Sequence, residues 1–64
     1  MNLKQLRNKK KLTRQDVVLA LHDAGLKITE NTLQNWENGK GEPDVSDAKI
    51  LADIYGVTLE ELAK

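Results

Sequence analysis

The sequence predicts an all-α fold, one compact domain of five short helices over residues 1–64. Three observations predict it. Residues that cap helix starts, Thr13, Thr29, Asp44 and Thr58, each precede apolar residues at helical spacing. Glycines follow the ends of those patterns at Gly25, Gly39 and Gly56. The stretches between are too short to hold a sheet.

The first helix is expected from about Asn2 to Lys10, carried by Leu3 and Leu6 with basic residues between and after them. Thr13 with Asp16 three residues on is a capping box for the second helix. Val17 and Leu21, flanked by Val18 and Ala24, form its apolar stripe. Gly25 closes it, and Leu26 and Ile28 fall in a brief connection. Thr29 opens the third helix, with Leu33 and Trp36 three apart on its inner face. Gly39 ends it after Asn38, and Pro43 blocks continuation. Pro43 and Asp44 open the fourth helix, whose inner face is Val45, Ala48, Leu51, Ala52 and Tyr55. Gly56 stops it. Thr58 with Glu61 is a second capping box and opens a last helix carrying Leu59 and Leu62. The expected core is Leu6, Leu12, Val17, Leu21, Ile28, Leu33, Trp36, Leu51, Ala52, Tyr55, Val57 and Leu62. Trp36 is expected inside as its largest contributor rather than outside as a stacking group.

Composition narrows the function. A chain of 64 residues buries only about 60% of its unfolded surface and is marginally stable. It has no cysteine and one histidine, His22, so no thiolate or structural zinc site is expected, nor any other metal or cofactor. His22 is expected to face solvent, and a pH switch there is not favoured. No apolar run approaches membrane-spanning length, and no signal-peptide core precedes the first helix. A cytoplasmic protein, or a domain cut from one, is the simplest expectation. No enzyme is expected. His22 has no carboxylate and nucleophile to work with, and Gly39-Lys40-Gly41 lacks the glycine spacing of a phosphate loop.

Formal net charge is zero, but its distribution is uneven. Residues 1–14 hold Lys4, Arg7, Lys9, Lys10, Lys11 and Arg14 and no acid. Residues 41–64 hold Glu42, Asp44, Asp47, Asp53, Glu60 and Glu61 against Lys49 and Lys64. A basic face suited to phosphates, with an acidic face pointing away, is one reading; an ordinary mixed surface is the other.

The outer face of the third helix is left with Glu30, Asn31, Gln34 and Asn35. Amides and carboxylates on an exposed helix hydrogen-bond base edges in a DNA major groove; a solvated polar face is the plainer alternative. The segment Trp36-Glu37-Asn38-Gly39-Lys40, the downstream Pro43, and Gly56-Val57-Thr58-Leu59-Glu60-Glu61-Leu62 resemble in combination the phage-repressor and Cro-type helix-turn-helix domains. Leu6-Arg7, Leu12-Thr13, Val17, Leu21, Ile28-Thr29, Leu33 and Leu51-Ala52 extend the match over nearly the whole chain.

The resemblance implies a five-helix domain of the phage repressor type, whose second and third helices form the helix-turn-helix with the third in the major groove. Carried over by position, it implies base reading by Glu30, Asn31, Thr32 and Asn35, to which the exposed Gln34 is added. It implies phosphate contacts from Arg14, Asn38 and Lys40, and a structural ion pair between Arg7 and Glu37. Two differences stand out. The connection from Leu21 to Thr29 is about five residues longer than usual, with His22, Asp23, Ala24, Gly25 and Leu26 as the excess. Glu42 and Asp44 also stand where relatives carry basic residues, so weaker phosphate neutralisation is expected.

The expected function is sequence-specific binding of a double-stranded DNA operator as a transcriptional regulator, a repressor acting as a homodimer. Ile50 and Ile54, four apart and off the expected core face, are the candidate dimer face; packing against the last helix is the alternative. The competing function is a protein-interaction module, an antitoxin or regulatory cofactor that keeps the fold without strong DNA binding.

Overall fold

A computed structural model describes all residues from Met1 to Lys64. It contains five helices and no strand. They are α1 (Leu3–Lys9), α2 (Arg14–Asp23), α3 (Glu30–Glu37), α4 (Val45–Tyr55) and α5 (Leu59–Ala63). Helix α2 packs against α3 and α4, α4 against α5, and α1 against α3.

The helix starts follow from their caps. The Thr13 hydroxyl accepts from the Asp16 amide at 3.1 Å while the Asp16 carboxylate accepts from the Thr13 amide at 2.9 Å. Thr58 and Glu61 repeat this box on α5. Thr29 and the carboxylate of Asp44 each accept an amide three residues on, from Thr32 and Asp47. Each bond satisfies one amide that a helix start leaves without a partner.

The helix ends are as regular. After α2, the Leu26 amide donates to the Leu21 carbonyl at 2.8 Å and the Gly25 amide to the His22 carbonyl at 3.0 Å, a Schellman turn. Gly25 stands at φ +94, where a side chain would be strained. The same pair of bonds closes α1, from Leu12 to Arg7 and from Lys11 to Asn8, but there the left-handed residue is Lys11, at φ +58. A lysine occupies a backbone state that glycine usually fills.

The core is Leu3, Val17, Val18, Leu21, Leu33, Ala48, Leu51, Ala52, Tyr55 and Leu62. Pro43 and Arg7 are buried too. Leu6, Leu12, Ile28, Trp36 and Val57, expected within the core, lie half-buried at its edge. Tyr55, wholly buried, takes the central place expected of Trp36, which packs on the edge of the core and stays half-buried. Val45 departs furthest from expectation: it shares a helical face with Ala48 and Ala52 but is 68% exposed. It is the first residue of α4, one turn ahead of Ala48, where that face first reaches the core.

The basic and acidic halves of the chain are not held apart. The Asn2 amide donates to the Leu62 carbonyl at 3.2 Å, joining the start of the chain to α5. The Lys10 ammonium lies 3.7 Å from where a Cβ on Gly56 would stand, at the carbonyl end of α4. A cation there complements the negative pole of the helix.

Candidate nucleic-acid interface

Helix α3 presents its polar side chains to solvent because Leu33, buried, and Trp36, half-buried, anchor the opposite side. Glu30, Asn31 and Gln34 are exposed; Thr32 and Asn35 are half-exposed. The side chains of Glu30, Asn31, Gln34 and Asn35 make no hydrogen bond within the protein, so all their donors and acceptors are open to a partner. Thr32 differs. Its hydroxyl lies 3.2 Å from the Thr29 hydroxyl, within the helix cap. Glu30, in the first turn, does not close a capping box on Thr29; it adds only negative charge near the positive pole of the helix.

The long connection ahead of α3 resolves into two parts. His22 and Asp23 extend α2, and Ala24 to Leu26 form the Schellman turn. The exposed His22 ring sits at the end of α2 with its Nε2 2.8 Å from the Ile28 carbonyl, to which it donates. Ile28 directly precedes the cap of α3, so the ring ties the connection back to α2. A side chain read from sequence as solvent-facing thus also braces the entry to α3.

At the other end of α3, three helices meet on one carboxylate. The Arg7 Nε donates to Glu37 Oε2 at 2.7 Å and its Nη2 to Oε1 at 3.3 Å. The remaining arm of Arg7, Nη1, donates to the Leu12 carbonyl at 3.0 Å. Arg14 Nε also donates to Glu37 Oε1, at 3.0 Å. The Glu37 side chain is wholly inaccessible. Burial works to raise its pKa; the bonds from Arg7 and then Arg14, with their charges, prevail and hold it below the ordinary 4.5. Tyr55 lies within the same field. Burial, with the Glu37 charge adding, pushes its hydroxyl up to about 12, and that hydroxyl has no hydrogen-bond partner.

Of the residues expected at phosphates, Asn38 and Lys40 are exposed beyond α3, with side chains unpaired within the protein. Arg14 is engaged at Nε and a third exposed. Its bond to Glu37 is not announced by any short spacing, because 23 residues separate the two. A compositional signal does exist: of ten basic residues only two are arginine, Arg7 and Arg14, and both converge on Glu37. Arginine's planar fork suits a desolvated carboxylate as lysine's point charge does not. Ile50 and Ile54 are half-buried against the core, so part of each remains accessible. No group of three acidic, histidine or cysteine side chains could hold a metal ion, and no helix is long and apolar enough to cross a membrane.

Residues 3–62 match the family model described as Helix-turn-helix. Over 60 residues, 94% of this chain, the sequence is 32% identical to the HTH-type transcriptional activator BcrR of Enterococcus faecalis. The chain spans about a quarter (27%) of that protein's length. No solved structure gives a significant match.

Proposed function

Because the chain belongs to the Cro/C1-type helix-turn-helix family, we propose that it binds double-stranded DNA sequence-specifically and regulates transcription, with α3 in the major groove. The observation that carries this reading is the row Glu30, Asn31, Gln34 and Asn35. These side chains are accessible and free of internal partners, on a helix braced at both ends by His22 and by Glu37. Asn31 pairs with adenine through its amide, and Glu30 accepts from the cytosine amino group. Thr32, tied into its cap, contributes chiefly its methyl group. Arg14, Asn38 and Lys40 hold backbone phosphates and set the register.

The active unit is a homodimer on a palindromic operator, with Ile50 and Ile54 at its contact and half-sites about one helical turn apart. It works in the cytoplasm, and repression is the outcome when the operator overlaps a promoter. Activation is the second reading, favoured by the Enterococcus relative being a transcriptional activator.

Selection of duplexes from a random pool, followed by binding at several salt concentrations, tests the proposal. One enriched motif, with affinity falling linearly on logarithmic axes as salt rises, is the expected result. Failure to enrich any motif, together with capture of a protein by the α3 face, would establish the interaction-module reading instead.

A further inference from the structure

We infer that Glu37 is a positioning residue for Arg14, presenting the outer edge of that guanidinium as a fixed bidentate phosphate clamp at the start of α2. The inference rests on the DNA-binding reading and goes beyond it. It assigns to the buried carboxylate a task in binding as well as in holding the fold together.

The two arginines on Glu37 are not equivalent. Arg7 is fully committed: Nε and Nη2 face the carboxylate and Nη1 faces the Leu12 carbonyl. Its side chain is 10% exposed. Arg14 gives Glu37 only its Nε, and its side chain is 32% exposed. Both Nη groups of Arg14 lack any partner in the protein. One carboxylate against two guanidinium groups leaves a net positive charge, and the accessible share of it lies on Arg14.

A guanidinium is planar, so the Nε bond to Glu37, on a side chain two-thirds covered, restricts the plane in which the remaining N–H groups lie. Two parallel N–H donors in one plane match two phosphate oxygens. A free arginine on a helix surface would have to give up rotamer freedom to reach that geometry. Here Glu37 has already ordered the side chain. Glu37 is also the last residue of α3, while Arg14 is the first of α2. The same carboxylate thus fixes a phosphate contact relative to the helix that reads bases.

A double-mutant cycle on the selected duplex tests this, with thermal melts run alongside. Arg14→Gln is expected to lower affinity roughly three- to tenfold near 0.1 M salt and to reduce the salt slope by about one unit. In a Glu37→Gln background the same change is expected to cost clearly less, because Arg14 is no longer held in plane. Arg14→Lys keeps the charge, and so the salt slope, but is expected to bind more weakly than the parent, since tetrahedral N–H donors on one point charge do not lie in the plane that pairs two phosphate oxygens beside the carboxylate. A lower melting temperature for Arg14→Gln with affinity and salt slope unchanged would make Arg14 a second counterion only and overturn the inference. Equal losses in both backgrounds would overturn it too. Should Glu37→Gln not fold, the lysine variant decides: full affinity refutes the clamp and reduced affinity supports it. A parent protein that binds no duplex in a salt-dependent way would defeat the DNA reading itself, and the clamp with it.

Discussion

At the scale of single residues, the buried polar groups make the sharpest predictions. Glu37→Ala strands the buried Arg7 guanidinium and is expected to cost about 3 kcal/mol, read as a large fall in melting temperature; Arg7→Ala is expected to cost less, because Arg14 still donates to Glu37. Unchanged melts for both would show that the buried pair adds nothing to stability. Tyr55 is the opposite case. Its hydroxyl is buried without a partner, so Tyr55→Phe removes a desolvated group at no loss of bonding. Urea unfolding is expected to show neutral stability or a gain of up to about 1 kcal/mol. Lys11 adopts φ +58. Lys11→Gly relieves that strain, and a gain of at most about 1 kcal/mol is expected once glycine's extra freedom in the unfolded chain is set against it. Glu30 separates base reading from helix capping. Glu30→Gln is expected to change preference at one operator position with about 1–3 kcal/mol of discrimination lost there. Uniformly tighter binding with an unchanged motif would assign Glu30 to capping and leave Asn31 and Asn35 as the readers.

At the scale of helices, much was legible because caps and stops are local chemistry. Thr13, Thr29, Asp44 and Thr58 each name their helix start within one residue, since the bond that caps a helix spans only three residues. Burial was less legible, because it depends on what lies opposite. Val45 carries the right spacing for the core yet is 68% exposed, and Trp36 stays half-buried at the edge while Tyr55 fills the centre. The outer face of α3 could be named from sequence because Leu33 and Trp36 fix the inner one. The His22 brace could not, since it joins elements through a contact that only folding creates, and the Arg14 bond left no trace in sequence beyond the choice of arginine over lysine. Lys40, exposed just past α3, tests the phosphate assignment at this scale. Lys40→Ala is expected to weaken binding to all duplexes about equally and lower the salt slope by about one unit. A change in preferred sequence at constant slope would contradict it.

At the scale of the whole molecule, acid is expected to unfold the domain in a defined direction. Glu37 sits below its ordinary 4.5, held there by Arg7 and Arg14 against burial. Asp16 and Asp44 sit below 3.8, lowered first by the backbone amides of Thr13 and Asp47. Depressed carboxyl values stabilise the fold above the unfolded values, and that contribution is lost as pH falls through the folded ones. Melting temperature should therefore drop as pH is taken below about 4.5, less steeply in Glu37→Gln. Self-association is a separate matter. Ile54→Lys is expected to abolish a dimer in sedimentation while leaving the monomer folded, because Ile54 is only half-buried. Association equal to the parent's would remove Ile50 and Ile54 from the contact. The bond between the Asn2 amide and the Leu62 carbonyl, at 3.2 Å, has a topological consequence. The domain is a ring lacking one short link. A linker of about four residues reaches roughly 13 Å, enough to join Lys64 to Met1 without disturbing a helix. The cyclised chain would start its search for the native state with its largest loop already closed. It should gain about 2–4 kcal/mol, the entropy the open chain loses on bringing its ends together. A cyclic form that unfolds at the same urea concentration as the linear one would show that the unfolded chain already keeps its ends in contact.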